Sequence, residues 1–238
     1  MMPYHVIMID DTSGLKDFLG LPDLVYLNDP KWVSPLHSET VRTLDVQKNP
    51  YFKNADVQKY VCYKDSKPIA RSITVINQNH WLKFGTKTGF FGFFESLNDQ
   101  EAVTALFNTM SEYCRKMGCE ILEGPFNPNH YSELGLLIKN FTEPVFFETY
   151  NPEYYPTLIT GAGFKLENTL HTRLNSEARK YIHEKPINDL SKASDKGFQI
   201  RPFSLFHMKR DLECIREVYN DAFSKNWHFL SLSEDEYS

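Results

Sequence analysis

Gly89-Phe90-Phe91-Gly92-Phe93-Phe94-Glu95 is the stretch on which the fold turns. Its four phenylalanines leave no polar face, so it reads as a buried central strand. Gly92 in its middle predicts a bulge or a close backbone approach. The residues that follow are the clearest in the chain. Ala102, Val103, Leu106, Phe107, Met110, Tyr113, Cys114 and Met117 fall on one stripe of a 3.6-residue period, predicting a helix over 99–117. Asn98 with Glu101 three residues later reads as a capping box in its Asn variant. Gly118 stands where a left-handed terminating residue belongs. Cys119 to Leu122 is the next strand, broken by Gly124-Pro125-Phe126-Asn127-Pro128-Asn129.

Upstream, Tyr4 to Ile9 is an apolar, β-branched first strand stopped by Asp10-Asp11. Thr12 or Ser13 is placed to cap a short helix through Leu19. Leu21 to Pro35 holds Pro22, Pro30 and Pro35 and reads as irregular, with Val25, Tyr26, Trp32 and Val33 docking on the core. Ser38 to Leu44 suggests a second short helix. Val57–Tyr63 and Ile69–Ile76 form a hairpin with 64–68 as its turn. The second of these strands does not separate apolar from polar, as expected where both faces are covered. Asn77 to Lys87 is polar and reads as a loop, in which Trp81 and Phe84 form a hydrophobic lid or serve as anchors.

Downstream, 135–138 and 145–147 are short strands or core-facing loop. Pro152 fits the first residue of a helix to about Thr160, ended by Gly161 and Gly163. Phe164 to Leu174 suggests one or two strands, and 175–197 a polar linker with one exposed helical turn. Phe198 to Phe203 then reads as a strand, followed by an amphipathic stripe at Met208, Leu212, Ile215, Tyr219 and Ala222.

The net charge of -5 supplies no basic field for nucleic acid or anionic lipid. Cys62, Cys114, Cys119 and Cys214 include no C-x-x-C pair and no zinc spacing, so no metal site is expected and the thiols read as reduced. The first ten residues lack the make-up of a signal peptide, and no apolar run reaches the roughly 20 residues of a membrane span. These features point to the cytoplasm.

The order strand, two short helices, hairpin, long strand, long helix, strand, helix resembles the GNAT acetyltransferase fold. Local blocks strengthen the likeness: Tyr26 to Leu36, Asn49-Pro50-Tyr51-Phe52, Gly89 to Glu95, Glu123 to Asn127, and Asn151 to Pro156. Together they look like a bacterial group of tandem GNAT-like proteins. The resemblance implies an α/β (α+β) class with a central mixed, mostly antiparallel sheet flanked by helices. It implies residues 1–175 as one such domain, 176–197 as a linker, and 198–238 as the beginning of a second, incomplete one. Tyr219-Asn220-Asp221 leading to Trp227 echoes Tyr26 to Trp32 and supports the repeat. The final forty residues must then pack on the first domain, pair with another chain, or begin a longer one.

The resemblance further implies an acyl-CoA-dependent N-acyltransferase, with acetyl-CoA or another acyl-CoA as co-substrate. The acceptor would be a small-molecule amine or peptide, and a homo-oligomer is left open. It places the CoA pyrophosphate on backbone donors between the long strand and long helix, near Phe93, Phe94, Ser96, Leu97 and Asn98. The turn Glu95 to Ala102 departs from the family's R/Q-x-x-G-x-G/A signature: it lacks glycine and arginine and carries Glu95, Asp99 and Glu101. Catalysis needs a base for the amine and an acid for the thiolate. Tyr154 and Tyr155 are candidate acids or simply pack a helix start. Glu95 is a candidate base or a cap. His130 and Tyr131 either line a cleft or are solvated. The alternative is a GNAT-like structural or ligand-binding domain without catalysis that packs on an active domain or another subunit.

Overall fold

Two apolar faces explain the sheet. Tyr60, Cys62, Ala70, Phe91 and Phe94 point to one side, and Val61, Ile73, Val75 and Phe90 to the other, all buried. A computed structural model describes residues 4–9, 12–145, 148–173, 192–199 and 201–237. Strands β1 (Tyr4–Ile9), β2 (Ala55–Lys64), β3 (Lys67–Asn77), β4 (Thr88–Ser96) and β5 (Ile121–Glu123) form one sheet in chain order. The first four pair antiparallel and β5 runs parallel to β4. Helices α4 (Gln100–Lys116) and α5 (Tyr155–Gly161) supply the core on the first face. Helix α1 (Thr12–Val25) covers the second. The expected mixed α/β class, the buried Phe-rich strand and the long helix are all present.

Several local expectations are corrected. Helix α1 continues through Pro22 to Val25, because Phe18 and Leu21 are both fully buried and their burial outweighs the lost backbone bond. The second short helix, α2, spans His37–Thr43. The hairpin closes through Asp65 and Ser66 alone, both at positive φ (48° and 64°), the signature of a two-residue type I′ turn. The presumed loop after β3 contains helix α3 (Gln78–Phe84). The Asn77 side chain accepts from Asn79 and His80 N–H at its start, and left-handed Gly85 ends it. Trp81 donates its indole N–H to Thr88 O, an anchor rather than a lid. The cap of α4 is Asp99, whose carboxylate accepts from Ala102 N–H at 3.1 Å; Asn98 is exposed one residue outside.

Beyond β5 the chain is less regular. Helix α5 begins at Tyr155 with Pro156 in its first turn, so Pro152 lies outside it. Residues 135–138 and 164–173 hold no strand, nor do the described residues of 198–203; Phe146, Phe147, 174–191 and Ile200 lie outside the described residues. Residues 192–195 form a helical turn. The stripe from Met208 is helix α6 (Met208–Phe223), followed by a last turn at Glu234–Tyr237. The tail meets the sheet through the His228 ring, edge-on to Phe90 of β4 at 5.4 Å, while Phe229, 2% exposed, packs on His130 and Tyr131.

Candidate active site at the bulged end of the fourth strand

The bulge in β4 decides where Glu95 points. Ile73 pairs with Gly92 but Arg71 pairs with Glu95, so one extra residue sits on β4, and Phe93 takes φ +47°. The insertion turns Glu95 to the same face as its cross-strand partner Arg71. Gly92 is required here. A Cβ on it would stand 1.7 Å from Phe126 O, because the segment after β5 lies against the strand. That segment bonds back to β4 through Phe126 N–H to Phe91 O at 2.8 Å. The Asn127 side chain accepts the Phe93 N–H at 2.6 Å.

Around the Glu95 carboxylate four side chains converge. Tyr155, 1% exposed, donates its hydroxyl to Glu95 Oε2 at 2.6 Å and accepts from Ser96 N–H at 2.8 Å. Tyr154 donates to Ser96 O at 2.8 Å. Tyr26, at the end of α1, lies against the carboxylate and stacks on Trp32 at 4.8 Å. The fourth, Arg71, is buried over the Phe18 ring at 4.4 Å and donates to Phe18 O. That carbonyl is free because the residue four on is Pro22, which has no N–H to give it. A proline that looked like a breaker therefore opens the acceptor that holds Arg71.

The electrostatics follow. Desolvation raises the Glu95 proton affinity, and the Arg71 charge and the tyrosine hydroxyls only partly oppose it. Burial also pushes Tyr154 up to about 12 and Tyr155 well above the usual phenol value. Burial depresses Arg71, with Glu95 opposing. A carboxylate with raised proton affinity, held in place by a tyrosine, suits proton removal from an ammonium.

Of the residues singled out in sequence, Glu95, Tyr154, Tyr155 and Ser96 are brought together. Phe94 is buried and packs edge-on to Tyr155. The expected CoA turn is occupied by the chain itself. Leu97 N–H bonds Ile69 O, Asp99 N–H bonds Leu97 O, and Phe93 N–H and Ala102 N–H go to Asn127 and Asp99 side chains. The Asp99 carboxylate is fixed by Lys64 at 2.9 Å and by the Tyr4 hydroxyl at 3.0 Å. These residues do not fit a pyrophosphate: it would have to displace a paired carboxylate from the helix start. Arg71 carries no motif, and Tyr26 stood out only as the start of the Tyr26–Leu36 block and as a core anchor. The hint at Arg71 was a cation in a strand whose residues do not separate into apolar and polar faces.

A second polar chain joins the tail to the sheet. Glu123 Oε1 lies 3.0 Å from His228 Nε2, and His228 Nδ1 lies 2.8 Å from His80 Nε2. With Glu123 ionised, each imidazole donates toward it, leaving His80 Nδ1 a bare acceptor; among the described residues it has no partner. His130 accepts from Leu230 N–H at 3.1 Å, so it holds the tail rather than standing solvated. Burial depresses both His80 and His130 to about 4. A cleft of about 260 Å³ beside this chain is lined by Tyr51, Asn77, Lys83, Tyr131 and Glu236, among others. The described residues hold no cluster of three metal-ligating side chains, and no helix among them is long and apolar enough to cross a membrane.

The element order is the expected one, with α3 added between β3 and β4. No protein-family model matches the chain. It is 27% identical over 233 residues to a bacterial ceramide synthase of Caulobacter vibrioides, covering 97% of this chain and 60% of that protein. It is also 27% identical over 232 residues to Protein YghO of Escherichia coli K12, covering 95% and 58%. The chain thus spans about three fifths of the length of these curated relatives. Similar solved structures include an aminoglycoside acetyltransferase from an uncultured soil metagenomic sample, in complex with sisomicin (9% identity, TM-score 0.44, 73% of this chain and 96% of that one). Another is a tandem GNAT protein from the clavulanic acid biosynthesis pathway (14%, TM-score 0.39, 49% and 34%). These likenesses concern the fold alone.

Proposed function

We propose that the chain is part of an N-acyltransferase that joins an acyl group, delivered as a thioester, to the amine of a long-chain amino alcohol. The observation that carries the reading is the Glu95 carboxylate, raised in proton affinity and clamped by Tyr155 at the β4 bulge. The acceptor class is supported by the relative named a ceramide synthase, since a ceramide is an amide of a fatty acid and a long-chain amino alcohol.

In this reading Glu95 takes a proton from the bound ammonium, and the freed amine lone pair attacks the thioester carbonyl. The tetrahedral intermediate releases its second nitrogen proton to solvent, collapses to the amide and expels the thiolate. Tyr154 is the candidate proton donor to that thiolate, and Tyr155 positions Glu95. The CoA pyrophosphate is not anchored by the 96–102 turn. That turn's capped state also favours a second reading, in which this half is a packing domain for an active one.

The test is amide formation. The protein is mixed with acyl-CoAs of two to eighteen carbons and either a long-chain amino alcohol or an amino sugar. Mass spectrometry reads the amide, and a thiol reagent reads free CoA. Long-chain amide with matching CoA release supports the proposal. Acetylation of the amino sugar alone would overturn the acceptor class. Acyl-CoA binding with no transfer to any amine would favour the packing domain.

A further inference from the structure

Helix α4 ends in a Schellman motif. Gly118 is left-handed at φ +89°; its N–H bonds to Arg115 O at 3.1 Å, and the Cys119 N–H bonds to Cys114 O at 2.9 Å. This pairing folds the residue after the glycine back over the last helical turn. Side chains three residues before the cap and two after it then meet, usually as an apolar contact. Here both are thiols. Their sulfurs lie 3.0 Å and 3.1 Å from the single point a Cβ on Gly89 would occupy. Any side chain at that position of β4 would fill the space the two sulfurs share. Cys114 is 3% exposed and Cys119 half-buried, so only Cys119 is open to a reagent. The contact with its partner lowers the Cys119 thiol and, together with burial, raises Cys114.

We propose that Cys114 and Cys119 are a redox-active dithiol that closes to an intramolecular disulfide by exchange with a low-molecular-weight disulfide. The Cys119 thiolate attacks one sulfur of the small disulfide, forming a mixed disulfide and expelling one small thiolate. Cys114 loses its proton to solvent and attacks the Cys119 sulfur, expelling the second. The two protons from the cysteines end on the two small thiols, and two electrons pass to the reagent. The bond would tie the end of α4 to the entry of β5, where Glu120 N–H already bonds Lys87 O at 2.8 Å. The other cysteines differ in kind. Cys62 is fully buried on β2, and Cys214 is exposed on α6.

The experiment uses the full chain carrying Cys214→Ser, equilibrated in glutathione buffers of rising oxidised fraction. Free thiols are then alkylated and peptides read by mass spectrometry. The expected result is a peptide pair joined between Cys114 and Cys119, with no lasting glutathione adduct. Adding Cys114→Ser should instead trap glutathione on Cys119. The proposal is overturned if Cys119 keeps a stable glutathione adduct while Cys114 remains present. It is equally overturned if both thiols stay alkylatable in fully oxidised glutathione while circular dichroism shows the native fold.

Discussion

Replacing Gly92 by Ala tests the packing that aims the site. The new methyl would stand 1.7 Å from Phe126 O and 2.7 Å from Phe126 C. Both are backbone atoms, which cannot swing aside as a side-chain tip can. The segment after β5 must therefore retreat by roughly an ångström or more in a close-packed interior. Such a retreat breaks the Phe126–Phe91 bond and the Asn127 contact to Phe93 N–H. Each buried group left unpaired costs about 1–3 kcal/mol. Ala in place of Gly returns about 0.5–1 kcal/mol by restricting the unfolded chain. The expected net loss is about 3 kcal/mol, a large share of the roughly 5–15 kcal/mol typical of a domain. Gly20→Ala is the control. It lies inside α1 with nothing within 4 Å of its added Cβ and should gain about 0.5–1 kcal/mol. Urea unfolding followed by circular dichroism gives both values. A G92A protein within about 1 kcal/mol of the parent would refute the close approach and, with it, the account of how Glu95 is aimed.

Asp99→Ala should cost about 1 kcal/mol in thermal unfolding through the lost cap, yet leave acyl-CoA affinity in calorimetry unchanged or improved. A large loss of affinity would restore the 96–102 turn as the anchor. Acid should release the tail. His80 and His130 are depressed from 6.5 to about 4, so their neutral forms support docking above pH 6.5, and that support is lost as the pH falls toward 4. The ring of Trp227 lies 4.3 Å from His228 and 5.8 Å from Phe126, so its emission should change across that window. A flat signal down to pH 4 would count against it. Pro22→Ala supplies an N–H that competes with Arg71 for Phe18 O. Weakening Arg71's hold should raise the Glu95 pKa further, moving the acid limb of the pH–rate profile upward, and an unmoved limb would show that Arg71 does not tune Glu95.

The sequence made the framework legible where one physical signal dominated. Phe90 to Phe94 has no polar face, and the stripe from Ala102 to Met117 has a single helical period. The misreadings arose where two signals competed. Pro22 spoke for a break, but the burial of Phe18 and Leu21 carried α1 past it. Asn98 and Asp99 are both good caps, and only Asp99 also meets Lys64 and Tyr4. Glu95 was visible as a carboxylate at the end of an aromatic strand. Its partners were not, because Arg71, Tyr155 and Tyr26 converge on it only through strand pairing and helix docking, from 24, 60 and 69 positions away along the chain. The ladder from Glu123 through His228 to His80 spans 148 positions at its last step and has no local pattern.

The most direct test of the central claim is the single-turnover rate of amide formation, measured across pH for the parent and for Glu95→Gln. If the Tyr155-clamped carboxylate removes the ammonium proton, the parent rate rises with pH through a pKa above the ordinary glutamate value. The E95Q variant should lose that limb and at least about a hundredfold in rate while keeping its fold. An E95Q enzyme within a few-fold of the parent, with the same pH profile, would contradict the account.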